Sequence, residues 1–139
     1  MKKITSIISI LIFTASLPLF SQQASLTIVN KSDRYLTVKI MKGSERKSTF
    51  YKSDNVAPKA EQIIYFSESG RYFTKTQAIL LPKDTTKRDT LYSKGNPFEV
   101  ISDSRRGYSN ITMKFTVKES KKPQLDGVMP ITRKEYEQN

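Results

Sequence analysis

Period-two alternation of apolar and polar residues is what most limits how this chain can fold. Leu26 and Ile28 alternate with Ser25 and Thr27, and Leu36, Val38 and Ile40 alternate with Tyr35, Thr37 and Lys39. Ile111, Met113, Phe115 and Val117 alternate with Thr112, Lys114, Thr116 and Lys118. Successive side chains of an extended strand point to opposite faces, so each run describes a strand with one buried and one wet face. That pattern belongs to antiparallel sheets. Further strand runs are read at 49–52, 62–66, 71–81, 90–93 and 98–101, separated by turn-forming stretches such as Ser67-Glu68-Ser69-Gly70 and Lys94-Gly95-Asn96-Pro97. Asp54-Asn55-Val56-Ala57-Pro58 is read as a break. Asn30-Lys31-Ser32-Asp33, a polar turn between two strand patterns, predicts a hairpin. No helical periodicity appears in the span 22–118. About seven or eight short strands in that span predict an all-β fold, an antiparallel β-sandwich of the immunoglobulin-like or a related kind, with a small β-barrel as the alternative.

Outside this core the chain changes character twice. Met1-Lys2-Lys3 precedes an apolar run reaching Phe20 and then Ser21-Gln22-Gln23, the pattern of a secretory signal peptide. The expected division is therefore signal peptide 1–21, β-sandwich domain 22–118 and polar C-terminal tail 119–139, with cleavage within Ser21–Gln23. The signal resembles those of Gram-negative bacteria. It implies an exported protein, periplasmic or extracellular. A lipoprotein is not expected, because no Cys is present to carry the lipid. No later run is long and apolar enough to span a bilayer. The tail contains Pro123, Gly127 and Pro130, and Thr132 with Glu135 has capping-box spacing, enough for one helical turn at most. It reads as a frayed end, with Val128, Met129 and Ile131 as the residues available for docking.

Composition narrows the chemistry. The 139 residues include no Cys, His or Trp. Disulfides, thiolate metal sites, Cys nucleophiles, His-ligated zinc and His-dependent triads are thereby removed. The acidic residues are few and lie singly in loops, mostly near Lys or Arg, and no Gly-rich phosphate loop or serine-hydrolase motif occurs. The expectation is a protein that is not an enzyme and needs no cofactor and no metal. The formal net charge is +11. Without Lys2 and Lys3 it is +9, from 22 of the 24 basic residues against all 13 acidic ones. The tail is balanced, so the excess belongs to the β-core.

Dibasic pairs recur at Arg46-Lys47, Lys87-Arg88, Arg105-Arg106, Lys121-Lys122 and Arg133-Lys134. Loops of a sandwich gather at its ends, where such pairs would form a positive surface attracting phosphates, acidic polysaccharide, lipid A headgroups or acidic proteins. Nucleic acid fits less well, since no nucleic-acid-binding motif is present. The candidate binding residues are Lys94, Arg105, Arg106, Tyr108, Arg46 and Lys47. The bland alternative is a solvated basic surface. The doublets Phe50-Tyr51, Tyr65-Phe66 and Tyr72-Phe73 each place one ring away from the core, as a stacking platform or as scattered exposed rings.

Glu68-Ser69-Gly70-Arg71-Tyr72-Phe73-Thr74 resembles the turn before the F strand of immunoglobulin-type domains, with Gly70 and Tyr72 matching and Thr74 where that family has Cys. The resemblance implies structural roles for Gly70 and Tyr72, the phenol bonding back to the backbone at a tyrosine corner. The whole chain resembles small exported bacterial proteins known as domains of unknown function, through the signal, the alternating strands, Ser69-Gly70-Arg71-Tyr72 and Arg105-Arg106-Gly107-Tyr108-Ser109-Asn110. That resemblance implies no activity. Three functions are in play: an exported binding or accessory module at the cell envelope contacting an anionic partner through basic loops, a structural or assembly subunit burying aromatics or a sheet edge, and a small hydrolase.

Overall fold

The computed structural model describes residues 22–44, 46–80, 90–118, 123–125 and 127–138. The expected signal peptide and the pairs Lys87-Arg88 and Lys121-Lys122 lie outside the described residues. The strands are β1 (Ala24–Asn30), β2 (Tyr35–Gly43), β3 (Ser48–Val56), β4 (Glu61–Phe66), β5 (Gly70–Ile79), β6 (Thr90–Lys94), β7 (Phe98–Val100), β8 (Ser102–Asp103), β9 (Gly107–Tyr108), β10 (Asn110–Phe115), β11 (Val117–Lys118), β12 (Gln124–Leu125) and β13 (Met129–Pro130). One short helix, α1 (Arg133–Glu137), follows.

The architecture is all-β with several sheets. One sheet has the order β10-β1-β4, and a larger one has the order β13-β6-β5-β2-β3, with β7 continuing the line of β6 along β5. Small two-stranded pairs, β8-β9 and β11-β12, complete it. No sheet among the described strands closes on itself. Alternation sets the core. Leu26 and Ile28 of β1, Phe66 of β4 and Phe115 of β10 share one buried cluster with Leu36, Val38 and Ile40 of β2, Val56 of β3, and Tyr72 and Ala78 of β5.

Three expectations from the sequence are corrected. The first two strands do not form a hairpin: β1 pairs with β4 and β10, and β2 pairs with β3 and β5. Asn30-Lys31-Ser32-Asp33 is a corner between sheets. Its pivot is the Asn30 carboxamide, 1% exposed, which shares its two N–H donors among the carbonyls of Arg34 (2.7 Å), Ala57 (3.0 Å) and Val56 (3.2 Å). Asn30 Oδ1 accepts from the Ser32 N–H at 3.0 Å and from Ser32 Oγ at 2.6 Å. A hydrophobic pattern with a polar turn cannot distinguish a hairpin from such a corner, because both bury the same alternate residues. Second, the strands are not all antiparallel: β10 runs parallel to β1, from Ser25↔Asn110 to Asn30↔Phe115. A parallel neighbour needs a long connection, and here the rest of the fold supplies it. Third, β3 continues through Asp54 and Asn55 to Val56, because an edge strand tolerates polar residues that a central one would not.

The register between β2 and β3 shifts at Ile40/Met41, with Lys52 opposite Ile40 and Phe50 opposite Met41. Tyr51 is the extra residue, and a bulge of this kind re-aims a side chain. Its ring stacks on Phe66 (centroids 5.7 Å apart) and meets Tyr72 edge-on (5.2 Å). Tyr72 is fully buried, and its hydroxyl donates to the Glu68 carbonyl at 2.8 Å. Burial, then the nearby Tyr51 and Glu68, push its phenol up to about 12. Gly70 opens β5 opposite Val100. A Cβ there would come 3.3 Å from Lys42 Cε.

The Asn30 corner yields a stability prediction. Asn30→Ala removes every bond of the carboxamide, those to the carbonyls of Arg34, Val56 and Ala57 and those from Ser32. The expected loss is about 2–4 kcal/mol in urea unfolding. An N30A midpoint equal to that of the parent would show that the corner is held by something else.

Candidate functional site

The outer face of the larger sheet carries a row of cations. Antiparallel register sets Lys39 of β2 opposite Lys75 of β5, and Lys75 opposite Lys94 of β6. Directly opposed side chains on one face have Cβ atoms about 4.5–5.5 Å apart, and like charges so placed repel. Lys75 is only 8% exposed. Burial first, and then the charges of Lys39 and Lys94, hold its ammonium pKa below the ordinary lysine value, with Glu135 pulling the other way. Burial likewise lowers Lys39, against the pull of Glu137.

The C-terminal segment compensates for this repulsion. Met129 and Pro130 of β13 pair with Lys94 and Ser93 of β6, and the Ile131 N–H donates to the Tyr92 carbonyl at 3.0 Å. Thr132 then caps α1, its Oγ1 accepting from the Glu135 N–H at 3.2 Å. Tyr136 is buried at 8% exposure, its ring 5.3 Å from that of Tyr92. This docking brings the last carbonyls of the helix over the lysines. Lys75 Nζ donates to Glu135 O and to Gln138 O, both at 2.7 Å, and Lys39 Nζ donates to Tyr136 O at 2.7 Å while lying 4.7 Å from the Tyr136 ring centre. Carbonyls at a helix C-terminus have no partner within the helix and carry partial negative charge, so cations suit them. Residues 129–138, part of the tail 119–139 that composition reads as a frayed end, are thus fastened by Tyr136 and the lysines.

Beside this row lies a cavity of about 410 Å³ lined by Arg46, Ser48, Phe73, Lys75, Lys94, Glu135 and Gln138. Two glycines shape the backbone near Arg46 and beside Lys94. Gly43 has φ +118°, and a Cβ there would sit 2.3 Å from the Lys47 carbonyl, so the tight β2–β3 turn that carries Arg46 requires glycine. Gly95 donates its N–H to the Thr74 carbonyl at 2.9 Å, and a Cβ would fall 2.5 Å from Thr74 Oγ1. The chain just after Lys94 can therefore lie flat on β5.

Of the residues singled out from sequence, the cavity gathers Arg46 and Lys94. Lys47, in the same turn as Arg46, is exposed and does not line it. Arg105, Arg106 and Tyr108 belong to the separate β8–β9 hairpin, where Tyr108 pairs with Ser102. There the Arg105 N–H (2.8 Å), and then Arg106 Nε (3.4 Å), bond to the Asp103 carboxylate and lower its pKa. Arg133 pairs with Glu137 on α1 at 2.9 Å. Lys75, the most buried lysine of the row, escaped sequence reading because it sits inside a strand. The only hint was its odd position in an alternating run, on the face of Phe73 and Gln77.

The outward rings divide. Phe73 is buried beside Met41, its partner in register, whereas Phe50 and Tyr65 are about half exposed. Both line a second groove, of about 290 Å³, with Ile63, Lys52 and Asp54. Among the described residues no group of three His, Cys, Asp or Glu gathers to hold a metal, and no helix is long and apolar enough to cross a membrane. No family model matches the chain, and neither a curated protein nor a solved structure does.

The tail contact predicts that Tyr136→Ala costs about 2 kcal/mol and raises amide hydrogen exchange in 129–138 while β1 and β2 stay protected. Unchanged exchange would show that the ring does not hold the segment. The row also predicts a pH dependence. Lys75 is faced by Lys39 and Lys94 across the strands and by Glu135 and Gln138 of the C-terminal segment, and it shares the cavity with Arg46. Its folded pKa lies below 10.5, so above that folded value the unfolded chain binds more protons and stability rises with pH up to the ordinary lysine range. In Lys75→Met this alkaline increment should shrink, as read from urea midpoints of the two proteins between neutral and alkaline pH.

Proposed function

We propose that this protein is a non-catalytic binding module that captures an anionic partner in the cavity of Arg46, Lys75 and Lys94. The observation that carries this reading is the register of β2, β5 and β6, which sets Lys39, Lys75 and Lys94 in one row beside Arg46. Opposed lysines are unfavourable in an isolated sheet, and an anion bound among them relieves that repulsion. The two central sheets are read as layers of an immunoglobulin-like sandwich, supported by their shared core and by the Tyr72–Glu68 bond. The signal-like N-terminus supports an exported protein working at the cell envelope, in the periplasm or outside the cell.

The test is binding to dextran sulfate beads across a salt series. Binding should weaken steeply as salt rises. Arg46→Gln with Lys94→Gln should lower retention several-fold, and Arg105→Gln with Arg106→Gln should lower it far less. No retention at low salt, or equal losses in the two pairs, would refute the reading.

A second reading, an assembly subunit, is favoured by the groove of Phe50, Ile63 and Tyr65. The Asn30 N–H bonds to the Ala60 carbonyl at 2.9 Å, and this phase turns the backbone groups of Glu61, Ile63 and Tyr65 to the unpaired side of β4. Lys52 Nζ already donates to Tyr65 O there, at 2.6 Å. Sedimentation velocity separates the readings, since an edge-to-edge assembly gives a species heavier than the monomer.

A further inference from the structure

The lining of the cavity carries both signs of charge, and this restricts what can fill it. Arg46, Lys75 and Lys94 enter from the β2–β3 turn, the centre of β5 and the end of β6, while Glu135 enters from α1, Gln138 from the residue that follows it and Ser48 from β3. Three cations converging on one head group favour a dianion over a single carboxylate. An ammonium has three donors, and Lys75 commits two of them to Glu135 O and Gln138 O, so one N–H remains to meet that head group. A ligand anionic along its whole length would also set charge against the Glu135 carboxylate, and so binds less tightly there than one whose charge is confined to one end. Hydroxyl groups suit Glu135, Gln138 and Ser48 instead, donating to Glu135 and exchanging bonds with the other two. The volume, about 410 Å³, lies in the range of small-molecule sites, about 300–1,000 Å³, and exceeds the needs of a bare phosphate.

We propose that the cavity takes a phosphorylated monosaccharide, with the phosphate against Arg46, Lys75 and Lys94 and the sugar hydroxyls against Glu135, Gln138 and Ser48. This rests on the anion-binding reading and adds the class of ligand. A free sugar phosphate and the phosphorylated saccharide headgroup of a lipid present the same chemistry.

The experiment is titration calorimetry of the protein, begun at Gln22, with glucose 1-phosphate, inorganic phosphate and glucose at low salt. Glucose 1-phosphate should bind at least about tenfold more tightly than inorganic phosphate, and glucose should not bind measurably. Glu135→Ala should weaken glucose 1-phosphate and leave inorganic phosphate equal or tighter, because it removes both a hydroxyl acceptor and a repelling charge. Arg46→Gln, an exposed turn residue whose change spares the core, should weaken both phosphates. Near-UV circular dichroism checks that each variant is folded. Equal affinity for the two phosphates, or equal losses in Glu135→Ala, would overturn the sugar assignment and leave the anion reading standing. Retention on dextran sulfate with neither phosphate bound would do the same. A protein that binds neither the phosphates nor the beads refutes both. Vesicles of phosphatidylcholine with lipid A identify the source: binding to them that glucose 1-phosphate competes away assigns the lipid headgroup, and absence of binding with glucose 1-phosphate still bound assigns the free sugar phosphate. Either result sustains the proposal.

Discussion

The fold depends on one buried carboxamide. Asn30 ends β1, and its side chain ties that end to Arg34 at the start of the next strand and to Val56 and Ala57 at the end of β3. The chain there leaves one sheet and enters the other, which strips backbone carbonyls of ladder partners in a buried place. Unpaired buried carbonyls are costly, and an amide with two donors and an acceptor suits the corner better than a hydroxyl or a carboxylate. With the crossing fixed, the even-numbered residues of β2 face the same core as those of β1, and everything on the opposite face of the larger sheet follows from that phase.

That opposite face is where the charge balance is tightest. Opposed lysines would ordinarily weaken the pairing of β2, β5 and β6. The C-terminal carbonyls of α1 offset the repulsion by accepting from Lys39 and Lys75. Fold and candidate site are therefore coupled: the segment that stabilises the cations also supplies Glu135 and Gln138 to the cavity. Lys39, Lys75 and Lys94 gather on a sheet face beneath α1, and Arg46 joins them from the β2–β3 turn.

Alternation made most of the core legible, since Leu26, Ile28, Leu36, Val38, Ile40 and Phe115 are buried where a period of two puts them. Pairing was not legible, because a strand's pattern says which face is dry and nothing about its neighbour. The Asn30 corner and the parallel β1–β10 pair both lie beyond that limit. Arg46 could be noticed as half of a dibasic pair in a loop, and Lys94 as a cation beside a turn glycine. Lys75 could not, because its company with Lys39 and Lys94 arises only when three strands come into register. The docking of the tail turns on Tyr136, a single ring in a polar stretch that no periodicity marks.

The parallel partnership of β1 with β10 also governs the order in which the molecule can be completed. Ser25 Oγ and Asn110 Oδ1 meet across 85 positions of sequence, so β1 must wait for nearly the whole polypeptide before its second neighbour arrives. Closing so long a loop before its contacts reward it slows folding. A chain threaded through a membrane pore from its N-terminus would have β1 on the far side, bearing an unfilled edge, until β10 emerged. In that interval the strand is open to mispairing, and a holdase or fast translocation would protect the yield.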